Sequence, residues 1–417
     1  PAVGSNLMVL SNNQRQVLAE KLQIPTDSLL NPIIFAWIYN YHLSHRQQPD
    51  TVSLNQLYHL SEIPENHLYE ENLKLAAGLR FYYSGFRGRA FQTLIELQYE
   101  QSRKAGFYND LLGQWSLKQN QPILGIEFFD QAIRAGYLPA LKHKVLALIS
   151  SGDLNLAKVS WDQFKASSQD GVTSEIDELL DFLAVEAYPL DSMSDKQLLW
   201  HIQFKVPLIS LEERYSWLDQ LENSELHQLA VDWLWSQAVK TKDNAAVDMI
   251  AMNDPSPVRR LQKAILEQDE AQVEDLLNEI TNPNEQAQSW IIYGQALRAE
   301  HHGDHQQAAE FYRQLGRDPF FEEGVVQAAK YFEESSDDDF QSYNILVNAI
   351  EINRYSVDLL KAYGKACVQL NLDAYKNSTL ETLSGLISPN EFNAYLDELN
   401  ILEESMSLEF SENSEVE

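Results

Sequence analysis

Cysteine is almost missing from this chain: Cys367 is the only one among 417 residues. A single thiol cannot close an internal disulfide, so no disulfide framework holds the fold. Long apolar runs are missing as well. The longest, Pro32 to Leu43 (PIIFAWIYNYHL), is too short to cross a bilayer as a helix and carries Asn40 and His42, so a buried helix is expected there. Basic residues are scarce: 31 lysines and arginines face 62 aspartates and glutamates, a net charge of −31. A polyanion of that size repels the phosphate backbone of nucleic acids and the surface of anionic lipids. A basic or neutral polypeptide is the easier partner. No alternating run of β-branched residues is bounded by turns, so strand content is expected to be near zero. The catalytic signatures H-E-x-x-H and G-x-S-x-G are both missing. Low cysteine usage suits an exported bacterial protein, and no basic and apolar leader stands at Pro1. An exported or periplasmic protein, with its signal or anchor upstream, is therefore favoured over a cytoplasmic one.

Apolar residues make up 44% and charged residues 22%, the composition of a folded globular chain. Its organisation emerges from internal spacing. Ala308, Ser342 and Lys376 are 34 residues apart; so are Tyr312, Leu346 and Leu380, and so are Leu315, Ala349 and Leu383. Three parallel series with one period indicate repeated units. A second array precedes them. Gly78, Phe81, Gly85, Ala90, Leu94 and Leu97 fit one unit, and Gly113, Gly125, Phe129 and Ala132 fit the next. Gly78 to Gly113 and Ala90 to Gly125 are both 35 residues. Gly152, Asp153, Ala157, Trp161 and Phe164 fit a third unit.

The segment Trp290 to Pro319 reads WIIYGQALRAEHHGDHQQAAEFYRQLGRDP. Trp290, Tyr293, Gly294 and Leu297 are followed by Gly303, Ala308, Tyr312 and Pro319. This succession resembles the tetratricopeptide repeat family, with Tyr for Leu at 293, Leu for Tyr at 297 and two extra residues before Gly303. The resemblance is clearest over 287–390 and weaker over 71–170. It implies an all-α, helical-hairpin repeat solenoid, a right-handed superhelix. Gly294 and Ala308 would let two helices approach closely, and Gly303 would end the first helix in a left-handed conformation. Lys376 departs from the pattern at a position expected to be small, so that hairpin is expected to splay or to act as a cap. Tyr363 and Gly364 restore the pattern, and Pro389 closes the unit.

The rest of the chain follows from helical periodicity. Residues 1–70 are expected to form a helical cap, 71–170 the first array, 171–286 degenerate helical pairs, 287–390 the second array, and 391–417 a C-terminal helix with an acidic tail. Between the arrays, DELLDFLAVEA, LISLEERYSWLDQL, LHQLAVDWLWSQAV and VRRLQKAILEQ carry apolar residues at three- and four-residue spacing. Asp254-Pro255-Ser256-Pro257 and Asn282-Pro283-Asn284 are breaks. Residues 403–417 are acid-rich and expected to fray.

Motifs that resemble sites have plainer explanations. His301, Asp304 and His305 offer metal ligands, but Gly303 at the inter-helix turn keeps one helix from presenting both imidazoles. Ser84 to Arg89 (SGFRGR) looks like a phosphate loop, yet it lacks the P-loop spacing and falls on a repeat turn. Asp337, Asp338 and Asp339 lack the alternation of a calcium loop. Cys367 takes a small core position. No catalytic residue, cofactor or metal is therefore assigned.

The repeat resemblance implies a groove lined by the first helix of each unit. It places Gln288, Ile291, Gln295 and Arg298 there in the first unit of the second array. Gly324, Gln327, Tyr331 and Glu334 follow in the next, then Asp358, Lys361, Lys365 and Gln369. Lys361 and Lys365 lie one helical turn apart and would offer a carboxylate a positive spot. The asparagines of the chaperone-binding clamp in that family are not matched. The expected function is a non-enzymatic scaffold that binds a protein or peptide, without nucleic acid and without membrane insertion. The alternatives are an exported glycan- or small-ligand-binding protein built on the same units, and the superhelical frame of an enzyme.

Overall fold

A computed structural model describes residues 70–83, 86–99, 104–167, 175–185, 189–204, 210–253, 256–280, 288–335 and 338–414. The expected N-terminal cap, Gly85, Asp254-Pro255 and Asn282-Pro283-Asn284 lie outside them. Among the described residues the regular structure is entirely helical, with no strand. The helices are α1 (Glu70–Tyr83), α2 (Arg87–Tyr99), α3 (Ala105–Lys118), α4 (Pro122–Arg134), α5 (Ala140–Ser150), α6 (Leu154–Ser167) and α7 (Glu175–Ala184). Next come α8 (Asp195–Phe204), α9 (Leu211–Ser216), α10 (Ser224–Thr241), α11 (Asn244–Asn253), α12 (Pro257–Leu266) and α13 (Glu270–Glu279). The last seven are α14 (Gln288–His301), α15 (His305–Leu315), α16 (Glu322–Glu334), α17 (Asp339–Ile352), α18 (Val357–Gln369), α19 (Asp373–Ser384) and α20 (Pro389–Ser414).

One turn recurs among the described residues and reverses the chain between successive helices. Among the described residues seven have a left-handed backbone: Asn120, Gly136, Gly152, Lys242, Gln268, Gly303 and Asn371. Each sits between two helices. In each turn the left-handed residue donates its N–H to the carbonyl three residues back, as Gly152 does to Ile149. The next residue donates to the carbonyl five residues back, as Asp153 does to Leu148 at 2.9 Å. This double closure satisfies helix-end carbonyls and reverses the chain. Four of the following residues are aspartates, Asp153, Asp243, Asp269 and Asp304. Each accepts the N–H three residues on, at 3.0–3.1 Å, and so caps the next helix. One residue thereby ends one helix and starts another. Gly303 has φ +70° as the sequence implies. The same turn at Lys242-Asp243 and Gln268-Asp269 shows hairpins inside 171–286, where no repeat signature is legible.

The chain divides into two compact units, one comprising 1–108 and 316–417 and the other 109–315. The second boundary falls inside the sequence array at 287–390. In the first unit, α1 and α2 pair through Gly78, whose missing Cβ would lie 3.2 Å from Leu94. Helix α2 then meets α17 and the turn ahead of α16, far away in sequence. Phe91 packs on Phe320 with ring centroids 4.5 Å apart. A Cβ on Gly88 would come within 2.5 Å of the Arg317 carbonyl, and Arg87 lies 4.0 Å from Asp318. Gly88 is thus a packing glycine rather than part of a phosphate loop; Ser84 lies outside the described residues. The pairs α16–α17 and α18–α19 follow, with first helices α16, α18 and α20 touching in succession.

In the second unit, α3 and α4 cross at two glycines: a Cβ on Gly125 would meet the Gly113 carbonyl at 3.1 Å. Trp161, Val145 and Leu148 share a core with α7, and Trp200 joins it. Leu198, Trp217, Leu234, Trp235 and Ile250 build the next. The expected helix over LISLEERYSWLDQL is interrupted. It runs as α9, then turns at Trp217 into a short 3-10 segment, Leu218–Gln220. The break lets Trp217, Leu218 and Leu221 all enter that core. The missing Cβ of Gly294 would meet Leu261, Val273 and Leu277 of the preceding hairpin at 3.3–3.4 Å, so the glycine admits a close approach there. Cations of α12 tie its neighbours together, Arg259 to Asp232, Arg260 to Glu279 and Lys263 to Asp248.

The C-terminal stretch expected as a helix with an acidic tail is helical through Ser414. Leu402 and Met406 pack with Tyr395, Leu399 and Leu383, which holds this segment on the last hairpin. Lys376 does not splay that hairpin. Its ammonium reaches Asp373 at 3.2 Å and Glu403, so the long side chain ties α19 to α20.

The turn makes a direct stability prediction. No atom stands within 4 Å of a Cβ on Gly303, so Gly303→Ala carries backbone strain alone, a loss of about 1 kcal/mol. Gln268→Gly relieves the same strain at φ +58° and stabilises by about 0.5 kcal/mol. Urea denaturation of both variants checks the signs; equal effects at the two positions would contradict the shared turn.

Candidate partner-binding surface

The residues expected to face a partner lie on α14, α16 and α18. On α14 the helical period gives Gln288, Gln295 and Arg298 one side; Gln288 is exposed, and Gln295 and Arg298 are half-buried. Ile291, on the same stripe, is buried. On α16 Gln327 is half-buried and donates to Glu323 at 3.3 Å. Tyr331 is only 5% exposed and stands edge-on to Phe332 at 5.4 Å, so it packs rather than presents a surface. Glu334 pairs with Lys330 at 3.7 Å.

On α18 the two lysines are engaged by the C-terminal helix. Lys365 is exposed, and its ammonium lies 2.9 Å from Glu398. Lys361 is half-buried and its backbone carbonyl accepts the Tyr395 hydroxyl at 2.7 Å. Two hydrogen bonds from Ser388, and then the nearby Lys361 charge, hold the Glu391 carboxyl below the usual carboxylate range. The positive spot therefore has intramolecular carboxylates beside it. Gln369 donates to Glu333 and is likewise in use.

Beneath this surface lies a hydroxyl and thiol cluster. Tyr343 and Tyr363 hydroxyls are 3.3 Å apart. Burial, and then the bond to Tyr343, push the Tyr363 hydroxyl above its ordinary range. Burial also raises the Cys367 thiol, which keeps it protonated and unreactive in its core position. Tyr395 is raised mainly by burial as well. Its Oη would lie 2.2 Å from a Cβ on Gly364, which is why that position is glycine.

The metal-like segment resolves into turn chemistry. His301 Nδ1 lies 2.6 Å from Glu270, and His302 lies 3.9 Å from Glu274. Asp304 caps α15 through Gln307. No group of three or more His, Cys, Asp or Glu among the described residues is arranged to hold a metal ion. Asp338 caps α17 through the Gln341 N–H at 2.9 Å; Asp337 lies outside the described residues. No helix is long and apolar enough to cross a membrane, among the described residues.

A polar cluster between α3 and α5 has no counterpart in the sequence expectations. Asp110 is 2% exposed. Its Oδ1 lies 2.8 Å from His143 Nδ1, and its Oδ2 accepts Gln114 Nε2 at 2.9 Å. Burial, and then the Asp110 charge, raise the Tyr137 hydroxyl. The signal was present: Asp110 and Gln114 are one turn apart, and His143 follows Asp110 by 33 residues, close to the repeat period. Comparison with protein-family models gives no match, and comparison with curated proteins gives none either.

The Gly364–Tyr395 contact predicts a coupling. Gly364→Ala alone destabilises by about 1–3 kcal/mol through overpacking against the hydroxyl. With Tyr395→Phe in place the hydroxyl is gone, and Gly364→Ala becomes neutral or stabilising through helix propensity. A double-mutant cycle in urea reads this; an unchanged penalty in the Phe background contradicts it.

Proposed function

We propose that this chain is a tetratricopeptide-like solenoid and a non-enzymatic scaffold that docks a polypeptide on its first-helix face. The observation that carries this reading is the recurrent hairpin turn, which alternates first and second helices along most of the described chain. A hairpin of this kind buries its apolar face only against its neighbours. Within each unit, stacking of this kind lines up equivalent helices, and the exposed positions of those helices would form the docking surface. In the unit of 109–315 the candidate residues with accessible polar groups are Gln288, Gln295 and Arg298 on α14; in the other unit Gln327 on α16 is one. On α18 Lys361 and Lys365 offer a second candidate contact, with Lys365 exchanging Glu398 for a partner carboxylate at small cost, since exposed pairs contribute about 0–1 kcal/mol. The net charge of −31 favours a basic partner overall.

Photo-crosslinking separates the faces. A photoreactive residue at Gln295 or Lys361 is expected to capture one polypeptide from native lysate or envelope. The same group at the exposed second-helix positions Val159 and Tyr375 is expected to capture none. Equal capture from both sets, or capture from the second helices alone, would overturn the first-helix assignment. No capture from any position would overturn docking itself.

A further inference from the structure

The buried Asp110 carboxylate holds His143 in one tautomer. A carboxylate only accepts, so His143 Nδ1 must be the donor across the 2.8 Å contact. In the neutral ring Nε2 is then an acceptor, as in carboxylate–histidine pairs generally. Among the described residues Nε2 has no hydrogen-bond partner, and the side chain is 30% exposed while that of Asp110 is 3% exposed. The second carboxylate oxygen is used by Gln114, which fixes the orientation of the group. On the far side the imidazole ring rests against Phe129, with centroids 5.9 Å apart. The histidine is therefore held by Asp110 and Phe129 and remains partly exposed, with Nε2 not engaged among the described residues.

The charge balance narrows what that nitrogen receives. No lysine or arginine among the described residues lies in ion-pair range of Asp110; the adjacent Lys144 is committed to Asp130 at 2.6 Å. The buried carboxylate is thus met by an imidazole N–H and an amide N–H rather than by a lysine or arginine. A cationic donor gains both the hydrogen bond and the field of the carboxylate, whereas an anion gains neither.

We infer that the Asp110–His143–Gln114 cluster on α3 and α5 is a recognition site for a cationic hydrogen-bond donor, a lysine ammonium or arginine guanidinium on a docked polypeptide. This rests on the docking reading above and assigns it a location and a chemistry. Asp110 and Gln114 are positioning residues, and His143 touches the ligand.

Two measurements on the full chain test it. Nitrogen-15 NMR of the imidazole is expected to show Nδ1–H with an unprotonated Nε2, and Asp110→Asn is expected to reverse the tautomer by offering a donor to Nδ1. Short capped peptide pools rich in lysine and serine, arginine and serine, or glutamate and serine then serve as probes. The lysine or arginine pool is expected to shift the His143 Nε2 resonance, and His143→Gln to weaken that pool about tenfold, the equivalent of one charge-assisted hydrogen bond. The two cationic pools distinguish ammonium from guanidinium, and the glutamate pool should leave the resonance unmoved. An Nε2–H tautomer in the native chain overturns the inference. So does cationic binding unchanged by His143→Gln, although that result leaves polypeptide docking standing. Failure of every pool to bind also overturns it, while crosslinking judges the docking reading separately.

Discussion

A helical hairpin has more apolar surface than it can bury by itself, and the rest of this structure depends on that shortfall. Trp161 pairs with its hairpin partners through Val145 and Leu148, yet closes its core only with α7. Trp235 and Ile250 do the same with residues from α8 to α11. Each hairpin is stable to the degree that its neighbours are present. The turn that makes the hairpin is therefore as important as the core. Its left-handed residue and following cap fix the angle at which the second helix returns, and every later contact inherits that geometry.

Electrostatics is the second constraint. With twice as many acids as bases, the chain needs its cations where helices meet. Arg259, Arg260 and Lys263 on α12 reach acids on three neighbouring helices, and Lys196 bridges to Glu175 and Glu178 on α7. Lys376 replaces a small residue to reach α20. Each exposed pair is weak, but together they offset part of the self-repulsion of a strongly acidic protein. The same scarcity makes Asp110 unusual, since its buried charge is met by an imidazole and an amide rather than by a cation.

Much of the fold was legible in the sequence. Gly303, Gly152 and the Gly113–Gly125 pair sit where their spacing implies, because a left-handed turn favours glycine and the close helix crossing leaves no room for a Cβ. The turns at Lys242 and Gln268 were hidden, because a long side chain at a left-handed position leaves no compositional mark; the aspartate that follows was the readable signal. Gly294 was legible as small, but not which neighbour required it. The site was less legible. Tyr331 reads as a groove residue by register, yet the helix rotates it into the core. Lys361 and Lys365 read as a positive spot, and only the packing of α20 brings Glu391 and Glu398 beside them. Pairings between residues 33 or more apart depend on how hairpins stack, which no local pattern encodes.

The most direct test is hydrogen exchange of the full chain, alone and with any polypeptide recovered by the crosslinking above. The account predicts new protection along first helices such as α5, α14 and α18, with second helices α6, α15 and α19 unchanged. Protection confined to second helices, or a captured polypeptide that alters no helix, would contradict the claim that stacked hairpins exist here to present a docking face.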